Sequence, residues 1–338
     1  MTDGLQIAWF WLVGVLLTGY VILDGFDLGV GFWYLFARKE SDRRALLTSI
    51  LPYWDGNEVW LLTGGGAVFA AFPAVYATIF SGLYLALMLV LFALILRAVS
   101  IEFRLKAESA GERRLWDAGF AIGSILPALL FGVAAGNILS GLPLDASGNH
   151  VGTFLTLLNP YSMLVGVTGL ALFATHGALF AALKTDGEIA TRARGWAQRA
   201  WVVYLALFVA SAVATAVQPA IIANYKASPA LWTLPALALI CILAVGYCNH
   251  RRLVLKGFIA SSLGIVAIFA ALGGALFPRL VPASNDPALS LTISNSSSSP
   301  LTLKTMLILA AVGVPIVLAY TVWVHMIFRG KTSIVESY

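Results

Sequence analysis

Charge is what this sequence has least of. Of 338 residues only 11% are charged, against roughly 25% in a soluble domain. Cysteine is nearly absent: two occur, Cys241 and Cys248, too few for a disulfide scaffold. They sit seven apart on one apolar stretch, without the two-residue gap of a redox or zinc pair, and read as small apolar fillers. Histidine is scarce too, with four in the chain. No basic stretch precedes the first apolar run, so a cleavable signal peptide is not expected. What is abundant is apolar surface: 60% hydrophobic residues and a mean hydropathy of +0.88. That composition excludes a soluble enzyme, a disordered chain and a nucleic-acid binder. The chain reads as an all-α integral membrane protein.

About 20 apolar residues cross the hydrocarbon core as a helix. On that template residues 1–338 form one polytopic membrane domain with nine spans. They run from Ile7 to Phe36, Ile50 to Phe72, Ala77 to Ile101, Trp116 to Leu139, Pro160 to Leu183, Trp201 to Val217, Leu231 to Cys248, Phe258 to Phe277 and Leu303 to Phe328. Their rhythm suggests two four-helix bundles plus one additional helix, with no need for strands. Eighteen of the 21 basic residues fall in alternate loops or at the span ends beside them; the exceptions are Lys226, Arg279 and Lys304. Basic loops stay in the cytoplasm, so the N-terminus is expected outside (periplasmic) and the C-terminus inside. Two outer loops, Asn137 to Asn159 and Arg279 to Thr302, are long enough to cover a bundle end or touch a partner.

Carboxylates within spans cost about 2.5–3.5 kcal/mol each on insertion scales, so each needs a reason. Asp24 and Asp27 lie in the first span; Asp55 and Glu58 open the second. Each pair is three apart and shares a helical face. All four should fall in the cytoplasmic half of one helix hairpin. For Asp24 and Asp27 a structural role is preferred: capping, bonding to backbone near glycines, or pairing with Arg97. For Asp55 and Glu58 the preferred role is that of protonatable stations leading inward. A metal site is disfavoured, because few carbonyl-rich breaks accompany the acids.

Glycines in the first two spans permit close helix approach. Trp54, Trp60, Phe69, Phe72, Tyr76, Phe80 and Tyr84 are read as packing or belt residues before a cofactor pocket. Among the histidines, His176 alone lies well within a span. No facing pair exists for a bis-imidazole heme, and a single His/Met heme using Met88 or Met163 is the weaker alternative. His176 reads as a polar contact between helices, with a lesser claim on the proton route.

The segments GYVILDGFDLGVG (Gly19 to Gly31) and PYWDGNEVWLLTGGGAVFAAFPAVYATIFSGLYLAL (Pro52 to Leu87) resemble subunit II of cytochrome bd-type quinol oxidases. GNILSGLPL (Gly136 to Leu144) and SLTISNSSSSPLTLKTMLILA (Ser290 to Ala310), followed by Pro315, Tyr320 and Trp323, extend the likeness over nearly the whole chain. Some family members carry glutamine where Glu58 stands and histidine where Tyr53 stands. Those differences bear on the proton route and on a cyanide-insensitive subtype, not on membership.

The resemblance implies a bacterial inner-membrane heterodimer. Its subunit I carries hemes b and d (or b only), oxidises quinol and reduces O2 to water, electrogenically and without pumping. It implies that this chain has no catalytic residues of its own and ligates no heme or metal. Asp55 matches the family's proton-channel aspartate, and Trp54, Asp24 and Asp27 match motif positions. A structural quinone near Trp54 and Trp60, small single-span accessory subunits and bound membrane lipid complete the expectation. The rival reading is a proton-coupled secondary transporter, and a third is an assembly scaffold whose acids are inert.

Overall fold

Helix after helix follows from the apolar runs. The computed structural model describes residues 2–332 and holds, in chain order, α1 (Thr2–Tyr34), α2 (Glu40–Ile50), α3 (Trp54–Ala71), α4 (Pro73–Gly82), α5 (Tyr84–Lys106) and α6 (Ala110–Ser140). There follow α7 (Pro160–Lys184), α8 (Gly187–Ala216), α9 (Pro219–Ala227), α10 (Thr233–His250), α11 (Val254–Leu276) and α12 (Pro300–Ile327). Local chemistry sets several starts. Ser109 and Glu112 form a reciprocal capping box on α6. Asn159 and Ser299 cap α7 and α12, each followed by a proline whose missing N–H is harmless in the first turn.

Among the described residues eight helices are long and apolar enough to cross a membrane: α1, α5, α6, α7, α8, α10, α11 and α12. The expected second span, Ile50 to Phe72, is a helix of 18 residues, α3, but is not among the eight. Its first turns carry Asp55, Asn57 and Glu58, which leave too short an apolar stretch. The expected third span, Ala77 to Ile101, is divided. Pro73 opens a separate short helix, α4, and the chain leaves helical geometry at Leu83 before α5 begins. The sixth starts well before Trp201, because α8 runs on from Gly187 beyond the apolar stretch.

α1 is the central post, packing against α3, α6, α7, α11 and α12. The tightest approach is between α1 and α7. A Cβ on Gly29 would strike the Phe173 carbonyl oxygen and come within 2.8 Å of the Gly177 Cα. Both neighbours are backbone and cannot swing aside. We expect Gly29→Val to force α1 off α7 and to reduce the amount of assembled protein in membranes severalfold, measured by quantitative immunoblot; wild-type levels would refute the tight contact.

The two long loops, between α6 and α7 and between α11 and α12, join into one cover. Leu142 donates its backbone N–H to Pro282 O (2.9 Å) and Ser284 donates to Leu142 O (2.9 Å). Asn285 closes a second link, accepting from Leu144 N and donating to Leu144 O. Contrary to the all-helical expectation, this cover contains a short antiparallel pair, β1 (Arg279–Val281) and β2 (Leu291–Thr292). Backbone left outside helices must pair somewhere, and here the loops pair with themselves and each other.

At the opposite, basic end an ion-pair clasp holds α2 on the bundle. Asp117 of α6 accepts from the Tyr34 hydroxyl (2.7 Å), Arg104 Nε (3.0 Å) and Arg43 Nη1 (2.7 Å). Arg104 Nη2 also donates to both oxygens of Glu40, each at 2.7 Å. Partial burial opposes ionisation of Glu40, but its bonds to Arg104 and Arg44 prevail and hold the carboxyl below its ordinary range. The clasp is therefore complete at neutral pH and loosens as the pH falls through that lowered range.

Candidate functional site

Tyr20, Asp24 and Asp27 share a face of α1, and that face meets α3 and α5. From α5, Arg97 reaches in. Its Nη2 donates to Asp24 Oδ1 at 2.5 Å and to Glu58 Oε1 at 2.5 Å. The Arg97 and Asp24 side chains are fully buried, while Glu58 is 25% exposed. Asn57, one residue before Glu58, turns to α1 instead. Its Nδ2 donates to Asp27 Oδ2 (2.7 Å) and to Leu23 O (3.1 Å). Three carboxyl groups thus meet two bridging donors in the α1–α3–α5 seam.

The cluster is not closed. Asp24 Oδ2, Asp27 Oδ1, Arg97 Nε and Nη1, and Ser100 Oγ are buried without a hydrogen-bond partner in the protein. Buried polar groups normally find partners, so the seam has spare donors and acceptors for water or for mobile protons. One guanidinium serves two of the three carboxyl groups, and the third is met by the Asn57 amide instead. Asp55 precedes the cluster on α3. It is exposed in the first turn of α3, one turn before Glu58.

His176 lies in a different seam, between α1, α7 and α11. Its Nε2 is 3.0 Å from Ile22 O and its Nδ1 2.9 Å from Ser261 Oγ. An Nε2–H that donates to the carbonyl leaves Nδ1 to accept from the serine, so both ring nitrogens are engaged. Among the described residues no group of three or more His, Cys, Asp or Glu side chains could hold a metal ion.

The two tryptophans separate. Trp54 packs, partly buried, at the basic end. Trp60 is buried against Gly19 of α1 and lines a crevice of about 270 Å³ beneath α12. A second cavity, of about 280 Å³, lies among α6, α7, α8 and α11, with Tyr204, Phe208 and Trp232 in its wall. Both are apolar enough for a hydrocarbon tail.

Sequence reasoning missed Asp117 and Lys184. Asp117 is the hub of the clasp described above. Lys184, at the end of α7, donates to the Tyr53 hydroxyl (2.7 Å) and to Phe328 O (2.6 Å). A lysine at a span end reads as a topology marker, and nothing in the sequence gives away its burial.

Comparison with known proteins decides the family. The profile for cytochrome bd terminal oxidase subunit II matches residues 5–328. This chain belongs to that family. It is 38% identical to cytochrome bd-I ubiquinol oxidase subunit 2 of Escherichia coli (strain K12), over 97% of this chain and 95% of the relative. It is 36% identical to cytochrome bd ubiquinol oxidase subunit 2 of Bacillus subtilis (strain 168), over 97% of each chain. A probable cytochrome oxidase subunit 2 of Haemophilus influenzae is 38% identical. The solved bd oxidase from Geobacillus thermodenitrificans shares the fold, with a TM-score of 0.77 over 96% of this chain and 98% of that one, at 17% identity. The chain is accordingly a multi-pass membrane subunit of a respiratory quinol oxidase.

Proposed function

We propose that this chain is the heme-free subunit II of a bacterial quinol:O2 oxidoreductase and that it conducts protons from the cytoplasm through the α1–α3–α5 seam. The observation that carries this reading is the placement of an exposed acid, Asp55, one turn before a half-buried one, Glu58, which shares Arg97 with the buried Asp24, a pair with open hydrogen-bonding capacity. Asp55 collects protons from water. Glu58, one turn deeper, shares Arg97 with Asp24, so a proton arriving on either carboxyl weakens the hold of the guanidinium on that one and strengthens it on the other. Asp27 and Asn57 extend the polar seam, and His176 is a structural contact beside it.

Subunit I is the partner, carrying hemes b and d (or b only), where electrons from quinol reduce O2 to water. The outward face of α3 supports a contact with it. Asp55 and the edge of Glu58 are exposed at the start of a helix whose remaining outward face is apolar, including Val59 and Leu62. Ionisable groups at the edge of that face disfavour cover by lipid tails, and a protein seated on its apolar part, around Val59 and Leu62, leaves Asp55 open to water. The same contact makes α3 the ninth crossing. In that reading α1, α3, α5 and α6 count as one four-helix group and α7, α8, α10 and α11 as the other, with α12 additional. The crevice beside Trp60 and the larger cavity each suit the tail of a structural quinone, while lipid and single-span accessory subunits fit the exposed apolar belt.

The membrane complex purified through a tag on this chain should contain a second, larger chain and show heme absorption; this chain expressed alone should stay colourless. A heme band from the isolated chain that vanishes in His176→Ala would overturn the assignment. The basic residues support an inner, cytoplasmic end at Arg38, Arg104, Arg192 and Arg329. A reporter active only in the periplasm, fused after the C-terminus, should be silent there, and activity would reverse the orientation.

A further inference from the structure

We propose that Lys184 is a positioning residue for the proton entrance, locking the start of α3 to the end of α12; this rests on the seam conducting protons. Lys184 and Tyr53 are both buried, and the lysine has no carboxylate partner among the described residues. Instead its ammonium donates to the Tyr53 hydroxyl (2.7 Å) and to the Phe328 carbonyl (2.6 Å), and the Tyr53 hydroxyl donates to the same carbonyl (3.0 Å). The ammonium also lies 5.0 Å from the centroid of the Tyr53 ring. The carbonyl belongs to the last turn of α12, where the helix dipole is negative, so a cation is favoured there.

Three chain segments far apart in sequence are tied at one atom cluster. Beyond it, Thr332 donates its N–H (2.8 Å) and its hydroxyl (3.0 Å) to Lys184 O, and Lys331 pairs with Asp186. Tyr53 is the residue from which α3 departs. Its carbonyl accepts from the N–H of Asn57 at 2.9 Å, and Asn57 holds Asp27. The lock therefore sets where Asp55, Asn57 and Glu58 stand relative to Asp24 and Asp27. It also occupies the Tyr53 hydroxyl, whose proton is held on Phe328 O.

The test uses the intact two-subunit complex with two readouts: O2 consumption per heme, and hydrogen–deuterium exchange of the peptide covering residues 51–60. Lys184→Met should slow turnover about tenfold at retained heme content, the scale expected when a catalytic group is displaced by a fraction of its reach. It should also speed exchange in that peptide severalfold, and Lys184→Arg should restore both. Combined with Asp55→Asn, it should slow turnover no further than the slower single variant. Unchanged exchange in Lys184→Met, or effects on turnover that multiply with those of Asp55→Asn, would overturn the proposal. If Asp55→Asn alone is fully active, the proton-path reading fails, and the exchange result still tests the lock. Should Lys184→Met not assemble, Tyr53→Phe removes the bridging hydroxyl but keeps the ring; unaltered exchange there overturns the lock equally.

Discussion

Asp55→Asn should slow O2 consumption per heme by about ten- to a hundredfold, the scale of losing a proton-transfer group, with heme content and subunit stoichiometry unchanged. The substitution keeps the shape and removes the proton. Asp55 is exposed and makes no ion pair among the described residues, so its loss should leave packing undisturbed. Membrane potential generated per O2 should be preserved while its rate falls. Glu58→Gln should be milder, because the amide can still accept from Arg97 and relatives with glutamine at that place are part of the resemblance. If Asp55→Asn retains full turnover per heme, the acid is not on the route and the subunit is a scaffold. Loss of the complex instead would mark the acid as structural.

Arg97→Met should have the opposite signature, with the complex failing to accumulate. Removing one partner from a buried ion pair leaves the other charge stranded, at about 3–5 kcal/mol. Here the guanidinium is shared, so both Asp24 and Glu58 lose it. Asp24 is fully buried and has no other ion-pair partner among the described residues, so its burial is no longer compensated. The expected result is loss of both subunits and of heme from washed membranes, scored by immunoblot and by absorbance. Arg97→Met combined with Asp24→Asn should recover part of that loss, because the neutral pair strands less charge. Equal losses in the single and the double variant would mean that packing of the long side chain, not its charge, sets the stability.

How much of this was readable beforehand varies with the physics. Hydrophobic runs are a local property, and eight expected spans overlap helices of suitable length and hydropathy, though with shifted bounds at the third and sixth. The buried acids were conspicuous because charge in an apolar run is rare, and Arg97 stood out as a partner for the same reason. α3 was harder, because its polar first turns shorten the apolar stretch. The division at Leu83 was invisible, because the residues on both sides are equally apolar. The clasp around Asp117 was overlooked for a different reason. Arg43 and Arg104 were counted as topology signals, yet each is spent on an acid many residues away, across 74 positions for Arg43. Lys184 shows the same limit. A span-end lysine usually reaches toward water, and its burial depends on where α12 ends, which no local pattern encodes.

The last helix has a further consequence. Among its described residues α12 buries Leu303 alone, near its start. That end is fastened by Trp9, whose Nε1 donates to Leu303 O (3.0 Å), and by Ser298, which donates to the backbone oxygens of Ala70 and Ala71. The far end is fastened at Phe328. Between the two lies a rod most of whose side chains face away from their own subunit, so the two fastenings fix its length. One inserted residue would advance the far end by about 1.5 Å and turn it by about 100°, carrying the Phe328 carbonyl away from both its donors. α12 thus works as a gauge: it measures the thickness of the subunit, and a chain of the wrong count registers at one face or the other but not at both.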